Sequence, residues 1–275
     1  MKVVLFCGGL GLRIRDSNDT PKPMVKIGYR PILWHLMKYY SHFGHTDFIL
    51  CLGYKGDVIK DYFLNYSEFG SNDFVMENGG RDFTLLNSDM ADWRITFVDT
   101  GINANIGQRL RQVREYLEDD ETFLANYSDN LTDFPLPRLI AQLNGSDAVA
   151  AFLAVKPQQS FHVVKVNANS HVDSIDEIGN SGLLINGGFF VFRNEIFNYL
   201  HDGEDLVYQP FQPLDRRSTI DFLLSQRFLG LHGYVQGQEA FGRHARQRRS
   251  TVAGVVKTQR FLFFPACCRD QSTTL

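Results

Sequence analysis

Residues 1–32 read MKVVLFCGGLGLRIRDSNDTPKPMVKIGYRPI, and the reading of the whole chain starts there. Val3, Val4, Leu5, Phe6 and Cys7 form a short apolar run that stops at a glycine pair. A buried parallel strand reads this way when it delivers a loop to the carboxyl edge of a sheet. Gly8, Gly9 and Gly11 remove side chains that would hold a polyphosphate away from backbone N–H groups. Arg13 adds a planar cationic fork suited to phosphate oxygens. Lys22, between Pro21 and Pro23, presents a second cation on a stiffened segment. The loop is not a dinucleotide fingerprint, because the third glycine of GxGxxG is missing, and no GK[ST] makes a P-loop.

Beyond this stretch, Ile32, Leu33, Leu36, Met37 and Tyr40 recur at helical spacing after Pro31. His35, on the same helix, has no partner motif and reads as a packed or surface residue. Phe48 to Leu52 predict a second buried strand, Gly53 to Gly56 a turn, and Val58 to Phe63 the next helix. Strand, loop, helix in repetition implies parallel βαβ units with right-handed crossovers. Ligands of such sheets bind beyond the carboxyl ends of the strands, where the glycine loop lies.

Residues 65–93 are polar and weakly periodic, an excursion with short strands. Ile95 to Val98 predict a strand, and a helix opens at Gly107 and runs to about Leu117. Arg109 falls in that helix's first turn, where a cation opposes the dipole unless a bound anion reverses the sign. A surface arginine is the other reading. Thr122 to Ala125 predict a strand ending at Asn126-Tyr127-Ser128-Asp129-Asn130. Asp beside Ser and Asn at a strand end is also ordinary turn chemistry. The segments Ala148 to Val155, Phe161 to Val166 and Val172 to Ile175 alternate and predict an extension of the sheet.

The bulk numbers set limits. A chain of 275 residues holds one large α/β domain or two small ones. Its 44% hydrophobic and 21% charged content is ordinary for a globular protein, and a net charge of -3 gives no global bias toward nucleic acid or anionic membrane. No run has the length of a transmembrane helix, and the start is too short for a signal peptide. The four cysteines make no disulfide or zinc framework, so a reducing cytoplasm is the default.

GGxGxR followed by PKPM resembles the signature of the sugar-1-phosphate nucleotidylyltransferases, and PKPMV-IG-PILWH is most similar to the glucose-1-phosphate cytidylyltransferases. The resemblance implies a Rossmann-like α/β fold, a mostly parallel mixed sheet with helices on both faces. It implies transfer of a nucleotidyl group from CTP, or another NTP, to glucose 1-phosphate or a related sugar 1-phosphate, with pyrophosphate released. Gly8, Gly9 and Gly11 would hold the nucleotide, Arg13 and Lys22 would carry catalysis, and Arg109 falls on the arginine of the family's GGRLKR near the phosphates. Asp129 matches the Mg²⁺-binding aspartate of YGDG, and Ser128, a nucleotide-side residue, and Asn130 replace its glycines. Ile185 to Phe192 are nearly identical to INGGFFV, whose glycines admit a hexose and whose Asn186 amide both donates and accepts. Asn186 and Gly187 are therefore sugar-site residues by resemblance, and a buried strand with a bulge fits the same residues.

Two departures stand out. The family's EKP is replaced by Asp176-Glu177-Ile178, in which Asp176 can hold a sugar hydroxyl but Glu177 cannot stabilise a phosphate. The resemblance also stops near Leu214. The family's closing GFWxxMDT, with its second metal-binding aspartate, and APWxxW are missing. Residues from Arg227 onward instead lack hydrophobic period or turn logic, and the basic run from Arg243 to Arg249 has no nucleic-acid-binding context. Let each codon take the last two bases of one codon and the first of the next. Arg227 through Gln236 can then yield GFWACMDTFK, Phe241 through His244 LDDM, and Ser250 through Val256 APWQVW and a stop. The expectation is a nucleotidyltransferase domain over residues 1–220 and an out-of-frame tail over 221–275, with the shift between Asp215 and Leu224. A non-catalytic sugar-nucleotide binding protein is the alternative, favoured by the missing second carboxylate. Neither nucleic acid nor membrane is an expected partner, and a homo-oligomer is compatible with the chain.

Overall fold

The computed structural model describes residues 1–9, 20–157, 161–207, 220–225 and 228–230. The first half runs β1 (Val3–Phe6), β2 (Lys26–Ile27), β3 (Arg30–Pro31), α1 (Ile32–His42), β4 (Asp47–Leu52), α2 (Gly56–Leu64), β5 (Phe74–Glu77), β6 (Asp82–Leu85), β7 (Arg94–Asp99) and α3 (Ile106–Gln112). The second half runs β8 (Thr122–Tyr127), β9 (Asn130–Thr132), α4 (Leu136–Asn144), β10 (Ala150–Val155), β11 (His162–Val166), β12 (Val172–Glu177), β13 (Ile185–Asn186), β14 (Phe190–Arg193), β15 (Ile220–Ser225) and β16 (Phe228–Gly230).

Eight strands form one sheet in the order β13-β10-β14-β8-β1-β4-β7, with β15 paired to β10. The pairs β1–β4, β4–β7 and β1–β8 are parallel, whereas β14 runs antiparallel to both β8 and β10. Strand β1 is apolar at every position because both of its faces are covered. Val3 and Leu5 pack with α1 and α4 residues such as Leu36, Tyr40 and Leu139. Val4 and Phe6 pack on the opposite face with Leu110 and Val113. Helix α1 begins directly after Pro31, whose ring pre-sets the backbone, and stops at Gly44. There a φ of +82° lets the Gly44 and His45 amides reach the Ser41 and Tyr40 carbonyls.

The chain steps outward from β1 to β4 to β7, then returns to place β8 on the other side of β1. The strand order therefore reverses between β1 and β8. Their carboxyl ends, Gly8 and Ser128-Asp129, meet at this switch point, where open α/β sheets bind ligands.

Two sequence expectations change. The helix opening near Gly107 ends at Gln112, and Arg114–Leu117 tighten into a 3-10 turn. The segments around 161–166 and 172–175 do not extend the sheet; β11 and β12 pair only with each other in a separate ribbon. Alternation cannot separate these outcomes, and β10 leaves no free edge, being flanked by β13 and β14 on one side and β15 on the other.

The 65–93 excursion forms the β5–β6 hairpin and is fastened to the domain by Arg30. The Arg30 guanidinium donates to Asp89 Oδ2 at 2.6 Å and lies 4.6 Å from the Trp34 ring centre and 4.9 Å from that of Tyr66. Arg30 is almost fully buried, so deleting it leaves Asp89 with only the Tyr66 hydroxyl at 3.1 Å and Lys38 Nζ at 3.8 Å, and empties an aromatic cage. Arg30→Ala is expected to cost about 2–4 kcal/mol of unfolding free energy. Urea denaturation checks this, and a loss within about 0.5 kcal/mol would make the contact incidental.

Candidate active site

Strand β1 carries the chain to Gly8 and Gly9, and the Cys7 amide still donates to Cys51 O of β4 at 2.9 Å. Behind Gly8 stands Arg109. A Cβ on Gly8 would lie 2.1 Å from Arg109 Nη1 and 2.4 Å from Cζ, and one on Gly53 would lie 2.8 Å from the same Nη1. Two glycines from different strands thus make room for one guanidinium.

Arg109 is delivered there by α3. Asn105 caps the helix by accepting from the Gln108 amide at 2.8 Å, and Gln108 Oε1 accepts from the Asn105 amide at 2.9 Å. Gly107 lets the helix seat against the 204–206 backbone, since a Cβ there would come within 2.2 Å of Glu204 O. The surface-arginine reading fails, because Arg109 is 0% exposed. Nη1 donates to Leu52 O at 2.9 Å and to Thr100 Oγ1 at 2.5 Å; Thr100 in turn donates to Leu52 O. Among the described residues no carboxylate lies within ion-pair distance of this guanidinium. Burial pushes its pKa down. A buried cation without an anionic partner costs several kcal/mol in effective desolvation. An anion arriving on the Gly8 side would offset that cost.

Across the switch point, β8 ends in Ser128 and Asp129. The Ser128 hydroxyl donates to Phe6 O at 2.8 Å, tying the end of β8 to the end of β1. Its hydroxyl is thereby engaged with the protein backbone. Asp129 is nearly buried, and its Oδ2 lies 3.8 Å from Lys22 Nζ. Lys22 is held in a short 3-10 turn between the two prolines. Burial raises the Cys7 thiol to about 12, so it stays protonated beside this pair. Among the described residues no cluster of three or more His, Cys, Asp and Glu gathers as a closed metal site. Asn130 Oδ1, adjacent to Asp129, is buried without a hydrogen-bond partner. One carboxylate and one orphaned amide oxygen are hard donors of the kind a divalent cation takes when phosphate oxygens complete its shell.

On the antiparallel side, Asn186 ends β13. Its Nδ2 donates to Tyr127 Oη at 3.3 Å, and its Oδ1 accepts from the Gly188 amide at 2.8 Å. Tyr127 is the residue before Ser128, so this turn borders the aspartate end of β8. The Gly187 amide donates to Leu153 O at 2.8 Å. Between Ala154, paired with Asn186, and Ala151, paired with Val191, the turn inserts extra residues, as the bulge reading allows.

The structure therefore brings together Gly8, Gly9, Arg109, Ser128, Asp129 and Lys22, with Asn186 and Gly187 adjoining through Tyr127. Asp176 stands on the β11–β12 ribbon, accepting from Ser174 Oγ at 3.0 Å and 3.7 Å from Lys165 Nζ. Gly11 and Arg13 lie outside the described residues. Sequence reasoning passed over Gly53 and Thr100. Their signal was present in the Gly-Tyr-Lys-Gly turn and in Asp-Thr-Gly, but nothing local says that both strands end on one arginine.

The chain belongs to the nucleotidyl transferase family, whose model matches residues 2–211. Its curated relatives narrow the class. It is 38% identical over 210 residues to a protein of Bacillus subtilis (strain 168) named "Probable glucose-1-phosphate cytidylyltransferase", covering 76% of this chain and 81% of that one. It is 35% identical over 222 residues to the glucose-1-phosphate cytidylyltransferase of Salmonella typhimurium, covering 80% and 86%. The fold is similar to that of HddC from Yersinia pseudotuberculosis complexed with GMP-PN, with a TM-score of 0.59, 21% identity, and coverage of 89% and 99%. An enzyme is favoured over the non-catalytic alternative.

Proposed function

We propose that the chain transfers a cytidylyl group from CTP to glucose 1-phosphate, forming CDP-glucose and pyrophosphate. The observation that carries this reading is Arg109, a wholly buried cation with no carboxylate in ion-pair distance among the described residues, set under a glycine that leaves no room for a side chain. Such a charge suits a polyphosphate lying on the loop. The names of the relatives at 38% and 35% identity support cytosine as the base and glucose as the sugar.

In the reaction, a phosphate oxygen of glucose 1-phosphate attacks the α-phosphorus in line. The bond to the pyrophosphate oxygen breaks as the new P–O bond forms, and no covalent enzyme intermediate is needed. The protein's task is positioning and charge neutralisation. Gly8 and Gly9 offer open backbone to the nucleotide, backed by the Arg109 charge. Lys22 reaches the reacting phosphates, and Arg13 neutralises the leaving pyrophosphate. Asp129 would hold Mg²⁺, which supplies Lewis-acid charge stabilisation when bound. Asn186 and Gly187 face the hexose, and Asp176 takes a sugar hydroxyl. A reducing cytoplasm suits the buried free thiols of Cys7 and Cys51. Among the described residues, no helix is long and apolar enough to cross a membrane.

We also propose that residues 221–275 are a frame-shifted reading of a nucleotidyltransferase C-terminus. The family match ends at residue 211, well before the end of the 275-residue chain. With permitted codon choices, the alternative frame yields GFWACMDTFK and APWQVW in order.

Asp129→Asn tests the metal assignment. The swap preserves shape and removes charge, so Mg²⁺-dependent turnover in the frame-restored chain should fall at least about 100-fold, while the melting temperature stays within a few degrees. Turnover surviving at ordinary magnesium concentrations would place the metal elsewhere.

A further inference from the structure

Asn126 is a fully buried amide in the middle of the sheet, opposite Leu5 of β1. Its Oδ1 accepts from the Phe189 amide at 2.9 Å, across 63 residues of sequence. That contact lands on two consecutive left-handed residues. Gly188 has a φ of +77° and Phe189 one of +53°, the latter a conformation a bulky side chain adopts only under constraint. A Cβ on Gly188 would sit 2.5 Å from Asn126 Oδ1 and 3.0 Å from the Tyr127 ring. The Phe189 ring is wedged between Tyr39, edge-on at 5.4 Å, and Tyr40, stacked at 6.1 Å.

The turn so pinned is the one that orients Asn186, because the Gly188 amide holds Asn186 Oδ1 at 2.8 Å. Asn186 Nδ2 then meets Tyr127, the next residue after Asn126 on β8. One buried amide thus links the strand that carries Asp129 to the turn that presents Asn186.

We propose that Asn126 is a positioning residue for the sugar-1-phosphate site, acting through the left-handed Gly188-Phe189 turn to aim the Asn186 amide. This rests on the reading of Asn186 and Gly187 as sugar-site residues. Asn126 itself is sealed from solvent and touches no substrate. Replacing it with leucine keeps the volume but leaves the buried Phe189 N–H without an acceptor, and the turn loses the bond that selects its conformation.

The test is calorimetric titration of the full chain with glucose 1-phosphate and, separately, with CTP. Asn126→Leu should weaken glucose 1-phosphate about tenfold and leave CTP within about twofold, a split that general loss of structure would not produce. Because Asn126 acts through Asn186, the double variant Asn126→Leu/Asn186→Ala should bind the sugar phosphate no more weakly than Asn186→Ala alone. If the leucine variant does not fold, Asn126→Ser, whose hydroxyl is too short to reach Phe189, carries the same expectations. Unchanged sugar affinity in the Asn126 variant, equal weakening of both ligands, or additive effects in the double variant would each overturn the proposal. If Asn186→Ala binds glucose 1-phosphate like the unaltered chain, or the unaltered chain does not bind it, the sugar-site reading is what fails, and the proposal falls with it.

Discussion

Gly8→Ala should abolish most nucleotidyl transfer in the frame-restored chain, lowering kcat/KM by about 100-fold or more. The added methyl would lie 2.1 Å from Arg109 Nη1 and 2.4 Å from Cζ, far inside contact distance. One of the two must give way. Arg109 is fixed by Leu52 O, Thr100 Oγ1 and Ile102 O, so shifting the guanidinium breaks bonds that satisfy a buried charge. Shifting the loop instead moves the nucleotide's cradle, and displacements of about 1 Å are enough to spoil an in-line geometry. Either way CTP affinity and turnover should fall together, with a melting temperature lowered by several degrees as Arg109 loses its seat. Calorimetric CTP binding and pyrophosphate release, measured on the same preparation, check this. Normal affinity and turnover would mean that the cation behind the loop has no part in holding phosphate.

The second large effect concerns the reading frame. The chain as written should have at most about one hundredth of the activity of a version whose frame is restored between Asp215 and Leu224, and should melt at a lower temperature. The structure supplies a geometric reason to expect this. Strand β16 runs antiparallel to β9 and brings Gly230 opposite Asn130, the neighbour of Asp129. In the restored frame the aspartate of MDT falls at the position of Gly233. That is three residues further on, a reach of roughly 10 Å at full extension. A second carboxylate delivered there would join Asp129 on the same cation, which would otherwise depend on one protein carboxylate. Both versions can be expressed and compared for CTP-dependent pyrophosphate release and melting temperature. Equal activity and equal stability would sink the frame reading, and residues 221–275 would need a function of their own.

Much of the fold was legible because it is written locally. The run Val3 to Cys7, the strand at Phe48 to Leu52 and the helical spacing of Ile32 to Tyr40 each declare their own geometry, and alternation of strand and helix implies the parallel core. Arg109 was legible as a cation near the phosphates through the resemblance of its stretch to the family's GGRLKR. Its inward direction was not, because it depends on Gly8 and Gly53 both lacking a side chain, and those residues come from different strands. The β11–β12 ribbon was misread as part of the sheet for a related reason. Which edge a strand pairs with is decided by the edges left free, and β15 takes the last edge of β10 from 70 residues away in sequence, as in the Val155↔Ser225 match. Asn126 and Phe189 belong to the same class of fact, joined across 63 residues.

One incubation tests the assigned reaction most directly. The frame-restored chain is mixed with Mg²⁺, glucose 1-phosphate and CTP labelled at the α-phosphate, and the products are separated. Label should appear in CDP-glucose in equal amount to pyrophosphate, none should remain on the protein, and omitting the sugar phosphate should stop both. Label released as CMP without the sugar, or no product from CTP or any other NTP, would contradict the assigned reaction.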